Sequence, residues 1–412
     1  MERTVTALVT CGEQDVGTVG PFPVAVPWWA EAGPVAERLE AELGGPVVVL
    51  RLVSVEGGES PRGGHVTYHA ELLGDPRRAG RRTLNQFSPA VSAALRAAQD
   101  RRSAWATPHG VRDALAWADE ALRAAGRPAL GRFRQVKTWN LAGLFRIPAR
   151  GGPVWLKTTP PFATDEAATM TALAATDPTL VPSVLAADPA AHRMLLDHAP
   201  GEDCWDAPPD VVRETITRFV AAQATTPHPP SVPHHPLKTL PDRLAPVIAR
   251  SALTPHEQDQ AHRLLDVLPG LLDELAACGL PETVVHGDFH SGNWRSTGEN
   301  TVVLDFADAH IGHPALDGHR VGKAMSPTGR RTATKAWIDA WHDHAPGSDP
   351  SRALELADLY QNLFYAVRYQ EFLDGIEPSE HVYHAGDPAA ELREALRTAP
   401  RQVPRFGSGR TG

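Results

Sequence analysis

Cysteine is scarce in this chain of 412 residues: Cys11, Cys204 and Cys278 are the only three, and they stand far apart. That spacing excludes a disulfide framework and a cysteine-ligated zinc site, and it fits a reducing compartment. Lysine is nearly as rare, with only Lys137, Lys157, Lys238, Lys323 and Lys335. No basic block appears and the formal net charge is −9, which argues against a nucleic-acid partner. No apolar run reaches the length of a membrane span, so no membrane partner is expected. The opening Met1-Glu2-Arg3-Thr4-Val5 lacks the basic stretch and apolar run of a signal peptide. The expected location is the cytoplasm. What the chain does have is 42% hydrophobic residues, enough for sizeable cores, and a length that suggests two or three domains.

One stretch stands out: His286-Gly287-Asp288-Phe289-His290-Ser291-Gly292-Asn293, then Val302-Val303-Leu304-Asp305-Phe306. Asp288 follows an apolar strand, Thr283-Val284-Val285, on a turn. Asn293 lies five residues on, and a second apolar strand delivers Asp305. Phosphoryl transfer to a hydroxyl asks for few protein groups. A carboxylate takes the hydroxyl proton, while an amide and a second carboxylate hold Mg²⁺ against nucleotide phosphates. The Asp-to-Asn offset is that of the protein-kinase catalytic loop, H-R-D-x-x-x-x-N, and Asp305-Phe306 stands where D-F-G would. A protein kinase would next need an activation loop and A-P-E, but Ile311-Gly312-His313-Pro314 follows at once. Two alternatives stay open. The alternation of His286, Asp288 and His290 matches a small metal cluster of a metal-dependent hydrolase, although it leaves Asn293 and Asp305 without a role. A non-catalytic nucleotide-binding protein could also share the pattern.

Gly287 in place of the kinase arginine, with Gly312-His313-Pro314 and Asp317 after the second aspartate, resembles the aminoglycoside phosphotransferase and choline-kinase-like family. Its pattern runs H-G-D-x-x-x-x-N, an apolar-Asp-aromatic strand, then G-x-P-x-x-D. The resemblance is specific over residues 284–317 and looser over about 130–390. It implies a bilobal protein-kinase-like fold, with a β-rich N-lobe and an α-rich C-lobe. It implies a small-molecule O-phosphotransferase moving the γ-phosphoryl group of ATP or GTP to a hydroxyl of an antibiotic or related metabolite. Asp288 would be the base, Asn293 and Asp305 the Mg²⁺ ligands, His286 an organiser of the loop, and Asp317 its support. Lys157 ends a β-meander (Arg134–Trp139, Leu144–Pro148, Val154–Lys157), where the family places the lysine for the α/β-phosphates. Glu166, opening the next helix, would be its partner. Asn140-Leu141-Ala142-Gly143 would be the phosphate-covering loop, and the segment from Leu196 through His198 to Ala199 would meet the nucleotide base. The acceptor would bind against C-terminal helices, where Glu371, Asp374, Glu377, Glu380 and Asp387 have few basic neighbours along the chain. Such a wall would suit a cationic acceptor, and a solvated acidic face reads the same way. His290, Glu371 and Asp374 are the candidate acceptor-binding residues.

The fold class read from the whole chain is α+β. Residues 1–75 form a small α+β unit, with strands at 4–9, 47–53 and 66–72 and a helix at Pro34–Leu43 that ends at Gly44-Gly45. The run Glu37–Gly44 resembles a Nudix helix but lacks the glutamate order that binds metal there. Residues 76–130 read as a linker, with Arg77, Arg78, Arg81 and Arg82, and bridging helices near 89–105 and 111–125. The kinase-like N-lobe would span 131–200 and the C-lobe 201–400. Residues 401–412 are Gly-, Arg- and Ser-rich and expected to be disordered.

Overall fold

A computed structural model describes residues 2–75, 84–323 and 325–402. The arginines at positions 77, 78, 81 and 82, and the tail beyond 402, lie outside the described residues. The chain divides into two compact units. One comprises 1–163, 185–198 and 372–385; the other comprises 164–184, 199–371 and 386–412.

In the first unit, β1 (Arg3–Cys11), β2 (Gln14–Val24), β3 (Val47–Glu56) and β4 (Gly64–Leu72) form a sheet of order β2-β1-β4-β3. Strands β1 and β4 run parallel, and helix α1 (Gly33–Leu43) connects β2 to β3. Alternation along β1 sends Val5, Ala7 and Val9 to one face. Val35, Leu39 and Leu43 of α1 recur at helical spacing and share one core with them. Strand β2 was not anticipated. It contains Pro21 and Pro23, which obscure a strand signal but are tolerated at a sheet edge, where β2 lies.

A second sheet comprises β5 (Arg134–Trp139), β6 (Ala142–Ala149), β7 (Gly152–Thr158), β8 (Val184–Asp188) and β9 (Arg193–Asp197), in the order β5-β6-β7-β9-β8. Helices α2 (Pro89–Arg96) and α3 (Pro108–Ala124) precede it. Val111, Ala114, Ala118 and Leu122 of α3 share a core with Val48 and Leu50 of β3 and with Phe145, Leu156 and Leu195 of the second sheet. Residues 372–385 complete this unit. Tyr383 packs edge-on against Trp29 and Trp139, at ring separations of 5.5 and 5.9 Å.

Two residues of the expected acidic wall, Glu377 and Glu380, are buried instead. Glu377 is buried between Arg51 and Arg102, with contacts of 3.4 and 2.9 Å. Glu380 is also buried and accepts the Leu52 N–H at 3.1 Å. The basic partners are distant in sequence, so the chain's local composition hides them.

The second unit is mostly helical: α4 (Glu166–Thr176), α5 (Pro209–Thr225), α6 (Leu240–Arg250), α7 (Pro255–Ala277), α8 (Ala315–Lys323), α9 (Pro327–His344), α10 (Pro350–Gly375) and α11 (Asp387–Gln402). Short strands thread it: β10 (Glu202–Asp203), β11 (Thr283–Val285), β12 (Trp294–Ser296), β13 (Thr301–Val303) and β14 (His310–Gly312). The chain is thus α+β. No described helix is long and apolar enough to cross a membrane.

Candidate active site

Strand β11 pairs with β14, and β12 pairs with β13. The loop 286–293 therefore leaves one ladder and enters the other, and the loop 304–309 does the reverse. Both are held at both ends. Direct bonds join them: the Leu304 N–H donates to the Asn293 carbonyl at 2.8 Å, and His286 Nε2 donates to the Leu304 carbonyl at 2.9 Å. Apolar anchors sit between the polar residues. Phe289 stacks on Phe219 at 4.2 Å, and Phe306 packs on His286 at 4.5 Å.

His286 is fully buried, and its Nδ1 accepts the Asp288 N–H at 3.2 Å. Burial lowers the ring to about 4, so it is neutral at ordinary pH. Both ring nitrogens are thus committed to the chain. That removes His286 from any metal cluster with Asp288 and His290. Among the described residues no group of three or more His, Cys, Asp or Glu is placed to hold a metal ion.

Gly287 turns the loop at φ +84°, and a Cβ there would stand 2.3 Å from the Asp308 carbonyl oxygen. Asp317, in the first turn of α8, secures this turn. Its carboxylate accepts the N–H groups of His286 at 2.8 Å and Gly287 at 3.1 Å, and Gln223 Nε2 at 2.8 Å. Burial pushes the Asp317 carboxyl up to about 7, against these three donors, which favour the ionised form.

Asp288 presents a carboxylate whose side chain is 31% exposed. Arg320 meets Oδ1 through Nε at 2.8 Å and through a terminal nitrogen at 2.7 Å. Oδ2 faces His290 Nε2 at 3.3 Å and Asn293 Nδ2 at 3.4 Å. Burial would raise this carboxyl, but the hydrogen bond from His290 and the charge of Arg320 outweigh it and hold it well below the usual carboxylate range. Asn293 Nδ2 also donates to the Asp288 carbonyl at 3.0 Å. His290 accepts the Gly292 N–H on Nδ1 at 3.0 Å and stacks on Trp205 at 5.2 Å.

Asp305 is exposed and adopts φ +67°, a left-handed conformation that side chains other than glycine and asparagine or aspartate seldom take. Such departures concentrate at functional sites. The next residue is fixed: the Phe306 N–H donates to Glu166 Oε2 at 2.9 Å, tying the start of α4 to this segment. Asp165 caps that helix.

One network therefore joins His286, Asp288, His290, Asn293 and Asp317, with Asp305 one residue beyond the bonded Leu304. The other candidates lie elsewhere in the chain's own elements. Lys157 is buried near the end of β7, in the first unit. Leu196 lies on β9, and His198 Nδ1 accepts from Trp155 Nε1 at 3.2 Å. The expected phosphate-covering loop is packed: Asn140 is 2% exposed, and a Cβ on Gly143 would come 2.8 Å from the Trp105 ring. The missing side chain of Gly143 makes room for an indole. Glu371 is not a free acidic group either. It accepts from Arg243 at 2.8 Å and from Arg368 at 3.1 Å, which corrects its reading as part of a wall with few basic neighbours. Asp374 falls in the first unit.

Sequence reasoning missed Arg320, Trp205 and Gln223. Of these, only Arg320 left a trace: it follows Asp317 by three positions, so both project from one face of α8.

The family model described as "Phosphotransferase enzyme family" matches residues 144–356, more than half of the chain. The chain belongs to that family, and so is a phosphotransferase that acts on a hydroxyl group. No curated protein matches the chain. Among solved structures, a choline/ethanolamine kinase family protein from Mesorhizobium loti is similar at TM-score 0.50 and 16% identity, over 70% of this chain and 99% of that one. The choline kinase LicA from Streptococcus pneumoniae is similar at TM-score 0.51 and 9% identity, also over 70% of this chain and 99% of that one. These likenesses are of fold, and the mixed sheets and helices agree with a protein-kinase-like architecture.

Proposed function

We propose that this enzyme transfers the γ-phosphoryl group of ATP or GTP to a hydroxyl of a small molecule, an antibiotic or a related metabolite, with Mg²⁺. The observation behind this reading is the Asp288 carboxylate. It is oriented by Arg320, His290 and Asn293, and its loop is bonded to the segment that presents Asp305. Asp288 would orient the acceptor hydroxyl and take its proton. The donor set suits a hard cation: Asn293 spends its amide nitrogen on Asp288, so its amide oxygen and the exposed Asp305 carboxylate are the atoms to hold Mg²⁺. Bound there, the ion would neutralise phosphate charge. His286 and Asp317 would keep the turn in shape. Lys157, Glu166, Leu196 and His198 keep the nucleotide-binding roles that the family resemblance implies. The small α+β unit of residues 1–75, Nudix-like in one helix, is proposed as an addition ahead of N-lobe 131–200 and C-lobe 201–400. The core formed within β1–β4 and α1 supports it.

The deciding experiment is a screen for ATP or GTP consumption across hydroxylated amines, nucleosides and sugars. With an acceptor in hand, Asp288→Asn should lower turnover about 10²- to 10⁴-fold while nucleotide binding persists. Wild-type turnover in that variant would refute the base assignment. Asp305→Ala should abolish Mg²⁺-dependent nucleotide binding, and an unchanged Mg²⁺ titration would refute the ligand role.

A further inference from the structure

A carboxylate acting on an acceptor hydroxyl must offer one oxygen in one direction. A loop aspartate can rotate, and either oxygen could face the acceptor. Misplacement of a reacting group by about 1 Å can cost about 10²-fold in rate. Something must therefore fix Asp288, and the structure contains a candidate that the family pattern of residues does not name.

Arg320 grips a single oxygen, Oδ1, with two nitrogens at 2.8 and 2.7 Å. Its own position is over-determined. It sits one helical turn after Asp317 on α8, so one helix face holds both the backbone N–H groups before Asp288 and the carboxylate itself. Its guanidinium lies over the Tyr365 ring, 5.1 Å from the centroid. The Tyr365 hydroxyl in turn donates to the Gly287 carbonyl at 2.6 Å. The loop, the ring and the guanidinium thus brace one another. Oδ2 has only the longer contacts, 3.3 Å to His290 and 3.4 Å to Asn293.

We propose that Arg320 is a positioning residue: by holding Oδ1 against the Tyr365 platform, it leaves Oδ2 as the oxygen that meets the acceptor hydroxyl. This rests on the reading of Asp288 as the base. In the step it serves, the acceptor O–H proton passes to Oδ2 as the acceptor oxygen bonds to the γ-phosphorus. The bond from that phosphorus to the bridging oxygen breaks, and its electron pair leaves with the nucleoside diphosphate. Arg320 touches none of the reacting atoms. A guanidinium is suited to the task because its fork is planar and its stacking on a ring is specific, which a lysine ammonium reproduces only in charge.

The test compares Arg320→Gln, Arg320→Lys and Asp288→Asn in one assay, with thermal unfolding measured on each. Arg320→Gln should lower kcat about 10²-fold, with KM for nucleotide and acceptor within about threefold of wild type. Arg320→Lys should recover part of that loss. A merely structural role would lower the unfolding temperature without this split between kcat and KM. Wild-type kcat in Arg320→Gln, or a loss that falls wholly on acceptor KM, would overturn the proposal. If Arg320→Gln does not fold, Arg320→Lys decides by the same two criteria. An active Asp288→Asn would instead mean that the base assignment is at fault.

Discussion

In the first unit, Arg51 donates to His69 Nδ1 at 2.7 Å, His69 Nε2 donates to Thr10 Oγ1 at 2.9 Å, and Thr10 donates to Glu71 at 2.8 Å. Arg112 closes that end on Glu71 at 2.7 Å, and Glu377 closes the other on Arg51 and Arg102. In the second unit, Asp317 holds His286 and Gly287, His286 holds Leu304, and Arg320 holds Asp288. The parts are alike: buried carboxylates, a neutral histidine and arginines. The difference lies at the ends. The first chain of bonds terminates in matched ion pairs. The second ends on a partly exposed Asp288 and an exposed Asp305 in a left-handed conformation. Carboxylates buried with their partners, such as Glu71 and Glu377, make a lock, whereas carboxylates brought to solvent, such as Asp288 and Asp305, make on the proposed reading a mount for chemistry.

Removing one partner from each network should therefore have different signatures. Glu377→Ala would strand two buried arginines, a loss of about 3–5 kcal/mol in unfolding free energy. Denaturant unfolding would measure it, and a change under about 1 kcal/mol would show that water replaces the pair. Asp317→Asn keeps an acceptor but loses the charge and one oxygen shared among three donors. We expect a smaller stability loss, about 1–3 kcal/mol, but a fall in kcat that Glu377→Ala lacks in the folded fraction. Equal kinetic effects would erase the distinction between lock and mount.

The networks also differ in how they answer pH. Burial pushes Glu380, beside Glu377, up to about 8, from an ordinary value near 4.5. Its protonated form is favoured in the folded chain, so the fold binds more protons than the unfolded chain between those values. Unfolding free energy must fall as pH rises through that window. Burial, then the charge of Arg51, lowers His69 to about 2, so the unfolded chain binds the extra proton below about 6.5 and stability falls on acidification. Glu380→Gln should remove the first slope and keep the second. Thermal midpoints near pH 5 and pH 8 would show the variant gaining on wild type at the higher pH. A constant gap would mean that Glu380 is ionised in the fold.

The mount was legible in the sequence where chemistry dictates residue identity. On the proposed function, Asp288, Asn293 and Asp305 would be bound to fixed offsets by the reaction, while Gly287 is fixed by a turn that no side chain fits. The lock was not. Arg102 lies 275 positions from Glu377, and Arg243 lies 128 from Glu371, so an acidic run looked unpaired. Helix α8 was missed because Gly318 and Gly322 weaken its helical signal. With it went Arg320. Trp205 lies between β10 and α5, where no periodicity marks it.

The smallest expected effect concerns that tryptophan. A Cβ on Gly292 would stand 2.2 Å from the Trp205 indole, which is 53% exposed and stacked on His290. Because half the ring faces solvent, it can shift, and Gly292→Ala should cost only about 1 kcal/mol. The displaced ring would still drag His290 from Asp288 Oδ2, so kcat should fall more than stability does. In Trp205→Ala the obstruction is gone, and adding Gly292→Ala to it should change neither quantity further. That non-additivity is the measurement. If the two substitutions simply add, the ring does not bear on Gly292, and His290 keeps its place without it.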